Sequence, residues 1–175
     1  MIGIFSFYAT KLMTTGGQGG MIVSKDVSII NELKDYRLFD RRFDTKIRFN
    51  FQMTDLQAAI GSAQLQQFPD FIKRREEIYQ HYLTAKFPLL DVRKDLQPVR
   101  FRAILKTTKQ TDILTALQQE NISAVIPIQD SELLGPNENY PNAYYWTKNT
   151  ISLPIYPSLK DEEVKRIINI VKNII

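Results

Sequence analysis

The sequence predicts an α/β chain in two parts: a strand, glycine-turn and linking-helix region over residues 1–88, and a small α+β unit over 89–175. Three observations carry this. Residues 2–8, IGIFSFY, are β-branched and aromatic enough to form a buried strand. Glycines clustered at 16–20 separate that run from a second apolar one, MIVS at 21–24, as a turn between two strands would. Beyond Pro88, strand-like and helix-like segments alternate, the pattern of a small sheet with packed helices.

The elements follow in order. Ser24 or Asp26 can cap a helix over 27–36, VSIINELKDY. Residues 37–53, RLFDRRFDTKIRFNFQM, show no clean period and read as an extended, functional loop. Thr54 and Gln57 stand in the capping-box relation, and the helix they open carries a narrow apolar stripe of Leu56, Ala59, Ile60 and Ala63. Pro69 is expected to break that helix, with Asp70 capping a second, longer one that carries Phe71, Ile78 and Tyr82. Further on, 98–107 alternates as a strand, 111–121 is helical, and ISAVIPI (122–128) and NTISLPI (149–155) supply two more strands. GPNENYPN at 135–142 reads as a flexible insertion. Val164, Ile167, Ile168, Val171 and Ile174 recur at helical spacing and close the chain with an amphipathic helix.

Composition narrows the function classes. With 43% hydrophobic and 24% charged residues, the 175-residue chain is globular. The net charge of +4 is spread among interspersed signs, as in IKRREE at 72–77, so no nucleic-acid partner is expected. Phe101, Tyr144, Tyr145 and Trp146 read as core or interface rather than base-stacking platforms. There is no cysteine and one histidine, which excludes disulfides and a zinc site built from Cys and His, and no metal is expected. A histidine-activated nucleophile would rest on His81 alone, and EEIYQHYLTA gives it a surface or packing role. MIGIFSFYA lacks a positive n-region and a cleavage site, and no run approaches the roughly 20 apolar residues of a membrane span. A cytoplasmic protein without a membrane partner is expected.

Lys11 lies between the first apolar run and the glycines, where it can be a solvated side chain, a phosphate ligand or a covalent anchor. The glycines form neither a dinucleotide fingerprint, since MIVS and not a helix follows them, nor a P-loop, since no Gly-Lys-Ser/Thr is present. The arrangement S-F-Y-A-T-K…T-T-G…G-G, from Ser6 through Lys11 to Gly20, and FNFQMTDLQAAIGSAQLQQF at 49–68 nevertheless resemble the DegT/DnrJ/StrS family of pyridoxal-phosphate-dependent sugar aminotransferases. ISLPIYPSLKDEEV at 151–164 is similar to that family's closing motif, so three motifs in order span nearly the whole chain. Three departures stand out: Arg48 where the pattern usually has Gly, Gln52 where it has Arg, and a glycine turn, GGQGG, one residue longer than the common GEGG.

The resemblance implies the C-terminal part of a fold type I aminotransferase, a fragment of the large domain followed by a small C-terminal domain. It implies Lys11 as the catalytic lysine, because a primary amine can condense with the cofactor aldehyde, leave as the amino donor enters, and then move a proton. It implies Ser6 as a cofactor-phosphate ligand and Asn50 as a phosphate ligand reaching across a dimer interface, hence a homodimer with a nucleotide-sugar substrate. Family members are about twice as long, and their first half carries the carboxylate that pairs with the pyridine nitrogen. The chain is therefore expected to be incomplete alone and to need a complementing N-terminal half. Unpaired strand edges at 2–8 and 20–24 add an expectation of self-association. Two non-enzymatic alternatives stay open: a dimerising remnant using helices 54–86, and a phosphate-binding module built on Ser6, Asn50 and the glycine turn.

Overall fold

In the computed structural model, which describes residues 1–91 and 95–175, the first element is an antiparallel pair, β1 (Ile2–Ser6) with β2 (Gly20–Ser24), in register Ile2 to Ser24 and Ser6 to Gly20. Asp26 caps α1 (Val27–Arg37), accepting from the Ser28 N–H at 2.9 Å, so of the two capping candidates Asp26 makes the helix-start bond. Ser24 acts one step earlier, accepting from the Asp26 N–H at 3.0 Å. The segment 38–53 has no regular element, as its lack of period predicts.

α2 (Asp55–Thr84) opens on the predicted box: the Gln57 N–H donates to Thr54 Oγ1 at 3.3 Å, and the Thr54 N–H donates to Gln57 Oε1 at 3.0 Å. It does not stop at Pro69. The expected break is corrected to one continuous helix with the proline inside. Pro69 removes one backbone donor, but Leu65, whose carbonyl it deprives, is exposed, so water can satisfy that group. The apolar stripe also faces the other way from expectation. Leu56 is 72% exposed and Ile60 is exposed, whereas Gln57, Ala58, Gly61, Gln64 and Phe68 form the covered face.

The chain divides into two compact units, Met1–Pro69 and Asp70–Ile175, with the division inside α2. This differs from a boundary after residue 88, because Ile78, Tyr79 and Tyr82 of α2, with Phe87 and Leu89, already belong to the C-terminal core. That core closes around β3 (Ala103–Lys106) paired antiparallel with β4 (Thr150–Leu153) and is filled by α3 (Gln110–Gln119) and α5 (Asp161–Lys172). Ile113 and Leu117 of α3, Leu105 and Ile151 of the strands, and Val164, Ile167 and Val171 of α5 are fully or almost fully buried. The predicted amphipathic closing helix is thus present, with its apolar face inward.

Three expectations are corrected here. ISAVIPI is not a strand but a single bridge, Val125 with Ser152. Pro127, two residues on, has no N–H to extend the ladder. The 135–142 stretch, expected as a flexible insertion, contains a short 3-10 turn (Asn137–Asn139) and runs into α4 (Pro141–Lys148), which starts on Pro141 in the first-turn position that favours proline. Within α4, Tyr145 and Trp146 are exposed, as is Phe101, while Tyr144 is half-buried, so of the two readings, core or interface, the core one does not hold for these three.

Pro69→Ala restores the missing backbone donor on an exposed turn. It is expected to stabilise α2 by up to about 3 kcal/mol, read as a higher denaturation midpoint by circular dichroism. An unchanged or lower midpoint would show that the proline geometry is itself needed.

Candidate functional site

Ser6, Lys11, the glycine turn and Asn50 all lie in the first unit. Ser6 ends β1, and its Oγ accepts weakly from the Tyr8 N–H at 3.4 Å. The Lys11 N–H donates to the Tyr8 carbonyl at 2.9 Å, making the turn that lifts the lysine. Ser6 and Lys11 are thereby joined through Tyr8. Lys11 is exposed, and among the described residues its ammonium makes no hydrogen bond or ion pair.

The loop between the strands is tied down by its own bonds. At its base the Phe7 N–H donates to the Gly19 carbonyl at 2.8 Å, and the Thr15 N–H donates to the Phe7 carbonyl at 3.1 Å. Thr15 is 1% exposed, and its hydroxyl donates to the Gln18 carbonyl at 3.0 Å. Gly16 takes a left-handed φ of 77°, with its N–H bonded to Thr14 Oγ1 at 3.1 Å. Gly19 is required by close approach, since a side chain there would run into the Thr15 hydroxyl and meet Met53 Sδ at 3.3 Å.

α2 holds this loop from outside. The Gln57 Nε2 donates to the Gln18 carbonyl at 3.1 Å. At Gly61 the helix has no side chain, and an added Cβ would lie 2.9 Å from Thr15 Cγ2. Thr15 and Gly61 are positioning residues that no local pattern singles out as such, and Gln57, expected only as a helix cap, adds a bond to the loop. The available signal was a lone glycine inside a helical run, AAIGSA, which usually marks a close packing contact.

Asn50 stands in the 38–53 loop, and its Oδ1 accepts from the Gln52 N–H at 3.4 Å. No hydrogen bond joins Asn50 to Ser6 or Lys11 among the described residues. Around it, Arg48 bonds both Asp44 and Asp35, and Lys46 also pairs with Asp35 at 2.6 Å. The Arg48 fork pulls the Asp44 carboxyl down to about 2, and Lys46 with Arg48 lowers that of Asp35. Both carboxylates in turn hold the Arg48 guanidinium above its ordinary range.

The donor set suits a ligand with an aldehyde and a phosphate: one unpaired primary amine, one hydroxyl whose O–H is free to donate, and one carboxamide. No group of three or more His, Cys, Asp or Glu side chains that could hold a metal ion occurs among the described residues. No helix among them is long and apolar enough to cross a membrane.

Comparison with known proteins gives this arrangement its class. The DegT/DnrJ/EryC1/StrS aminotransferase family model matches residues 1–172, and the chain belongs to that family. The spore coat polysaccharide biosynthesis protein SpsC of Bacillus subtilis is 30% identical over 98% of this chain and 53% of its own length. A GDP-perosamine synthase of Escherichia coli O157:H7 is 29% identical over 93% of this chain and 49% of its own. The chain spans about half the length of the curated relatives it matches. Among solved structures, a DegT DnrJ EryC1 StrS aminotransferase from Brucella abortus superposes with a TM-score of 0.86 at 20% identity, over 98% of this chain and 50% of that one. DesV of Streptomyces venezuelae, in complex with a ketimine intermediate, gives 0.86 at 22% identity, over 98% and 51%. The fold is therefore that of half of a pyridoxal-phosphate aminotransferase of this family, and the family's aminotransferases depend on that cofactor.

Two outcomes test the geometry. Gly61→Ala is expected to cost about 1–3 kcal/mol by pressing on Thr15, and adding Thr15→Ser, which removes Cγ2 but keeps the hydroxyl, is expected to recover most of it in urea unfolding. Purely additive effects would mean that the contact does not matter.

The second concerns acid. Because the folded Asp44 carboxyl lies below its unfolded value, its contribution is fully present above about pH 4 and is lost as pH falls towards about 2. The Phe49 amide shift in NMR is expected to stay flat from neutral pH to about 4 and to move below it. A transition centred near pH 6 would contradict this.

Proposed function

We propose that the chain is the C-terminal half of a pyridoxal-phosphate-dependent nucleotide-sugar aminotransferase. In this reading it transfers an amino group from a glutamate-like donor to a keto sugar for polysaccharide or glycan biosynthesis. The observation that carries the reading is Lys11 itself: an exposed, unpaired primary amine on a loop whose base is tied at Phe7, Thr15 and Gly19 and pressed on by α2. Relatives named GDP-perosamine synthase and UDP-4-amino-4,6-dideoxy-N-acetyl-beta-L-altrosamine transaminase support the substrate class.

Pyridoxal phosphate, when bound, supplies an aldehyde for a lysine amine and a ring that accepts electrons from the carbon carrying the transferred nitrogen. Lys11 would hold it through Nζ and, when free, would serve at Nζ as the base that takes a proton from the donor's amine-bearing carbon and, in the second half-reaction, as the acid that gives one to the sugar carbon. Ser6 would donate its hydroxyl to the phosphate, and the Asn50 amide would donate to the phosphate held by a second copy of the chain. The loop's fixed base keeps Lys11 close to its target position before binding, which reduces the entropic cost of reaching it.

A complementing N-terminal half supplies the remaining walls of the site, and the complete unit works as a homodimer. The exposed apolar side chains of the first sheet support this. Ile4 is 78% exposed, and Phe5, Met21 and Ile22 are also exposed, a surface unusual for an isolated two-stranded ribbon in water.

The test is intact mass after incubation with pyridoxal phosphate and borohydride reduction, for the native chain and for Lys11→Ala. One pyridoxyl adduct that disappears in Lys11→Ala is expected. Ser6→Ala is expected to raise the half-labelling concentration by about tenfold, the loss of one hydrogen bond to a charged group. Scattered labelling, or none, would overturn the reading in favour of a remnant that dimerises without chemistry.

A further inference from the structure

We propose that Arg48 is the positioning residue for Asn50, fastening the loop that carries it to the C-terminal end of α1. The inference rests on the reading of Asn50 as a phosphate ligand given above. Arg48 has only 6% of its side chain exposed, although it stands in an irregular and otherwise largely exposed segment. Its Nη1 and Nη2 donate to the two oxygens of Asp44 at 2.7 and 3.0 Å, a bidentate fork. On its other edge, Nη2 and Nε donate to Asp35 Oδ1 at 2.9 and 3.2 Å, and Nε also reaches the Asp35 carbonyl at 3.0 Å. The Lys46 carbonyl takes a last, longer contact from Nη1 at 3.4 Å.

A guanidinium has five N–H groups, and these contacts engage all three of its nitrogens. Asp44 faces Arg48 alone, while Asp35 is shared with Lys46 and Arg42, so what occupies Arg48 is the engagement of its N–H groups. Arg48 is therefore poorly suited to receive an anion, although an arginine next to a phosphate-binding asparagine invites that assignment. What it does instead is mechanical. Asp35 belongs to α1, whereas Asp44 and Lys46 belong to the loop, so one side chain ties the loop back to the helix.

The residues that follow are fastened in the same place. The Phe49 N–H donates to the Tyr36 carbonyl at 3.1 Å, and the Phe49 ring lies 5.4 Å from that of Tyr36 and stacks on Phe51 at 5.2 Å. Asn50 sits between two anchored rings, and its own side chain makes only the weak local bond to Gln52 among the described residues. Its placement therefore comes from its neighbours. Lysine cannot substitute here, because an ammonium lacks the planar fork that spans two carboxylates. Lys46 and Arg42 also reach Asp35, at 2.6 and 3.4 Å, but the Asp44 bridge belongs to Arg48. Arg48 does not adopt a left-handed φ, so a side chain is accommodated where the family pattern usually has glycine.

The test uses amide hydrogen exchange on the full chain carrying Arg48→Ala, Arg48→Lys or Asp44→Asn, with α2 amides as the control for intact folding. Exchange at residues 49–52 is expected to rise about tenfold or more in both Arg48 variants, with a smaller rise in Asp44→Asn and none in α2. In the borohydride assay, Arg48→Ala is expected to raise the half-labelling concentration of Lys11 for pyridoxal phosphate but not for pyridoxal, which has no phosphate. Combined with Asn50→Ala, it is expected to add nothing. Unchanged exchange at 49–52, equal losses with both aldehydes, or additive losses in the double variant would each overturn the proposal. If the native chain takes no specific label at Lys11, the aminotransferase reading falls while the exchange result still decides the role of Arg48.

Discussion

The burial of one small side chain, Thr15, organises the first unit. Its amide closes the loop onto Phe7, its hydroxyl holds the Gln18 carbonyl, and its methyl rests where α2 has a glycine. A larger residue at Gly61 or at Gly19 would force that side chain out, and the turn would lose both its internal bonds and its support from the helix. The exposed lysine is then the end point of a chain of packing constraints that begins in a helix far along the sequence. This is how an irregular loop, normally among the more mobile parts of a protein, can present one amine in a defined place.

The second unit shows a comparable economy around its closing motif. The buried Tyr82 hydroxyl donates to the Pro154 carbonyl at 2.7 Å, and Arg74 binds the Leu159 carbonyl at 2.6 Å and Asp161 at 2.7 Å. Arg75 gives Nη1 to the Ile155 carbonyl at 2.6 Å. The residues of 151–164 that make the family resemblance visible therefore serve as backbone acceptors and core contacts. They hold the segment between β4 and α5 in place, and nothing in their bonds resembles catalytic machinery. A motif can thus identify a family through residues that only support the fold.

Much of this was legible in the sequence where the signal is local. The cap at Asp26, the box at Thr54 and Gln57 and the apolar spacing of α5 each depend on neighbours within a few residues. The two strands around the glycines are present, but β1, expected to be buried, is largely exposed, because only β2 pairs with it. The failures came where distant contacts decide. Pro69 has the intrinsic power to end a helix, yet packing on both sides of it and an exposed carbonyl at Leu65 keep α2 intact. Leu56 and Ile60 look like a core stripe by hydropathy, whereas the covered face includes Gly61, where the absence of a side chain lets the Thr15 methyl come close. In the proposed site, Ser6 and Lys11 come from the motif pattern, and the structure places them on one turn through Tyr8. Thr15 and the two carboxylates of the Arg48 network do not come from it, because their roles arise from approach in space that no short motif encodes.

Gly17 differs from the other glycines of the turn. A Cβ there would meet nothing within 4 Å, and the residue needs no left-handed backbone. In a chain without a single cysteine, that open position, bridged to Tyr8, offers a place for one engineered thiol on the same turn as Lys11. A fluorophore or spin label attached there would sit on the lysine's own loop without disturbing its base. The turn could then report, by a change in emission or in line shape, when something occupies the space in front of it.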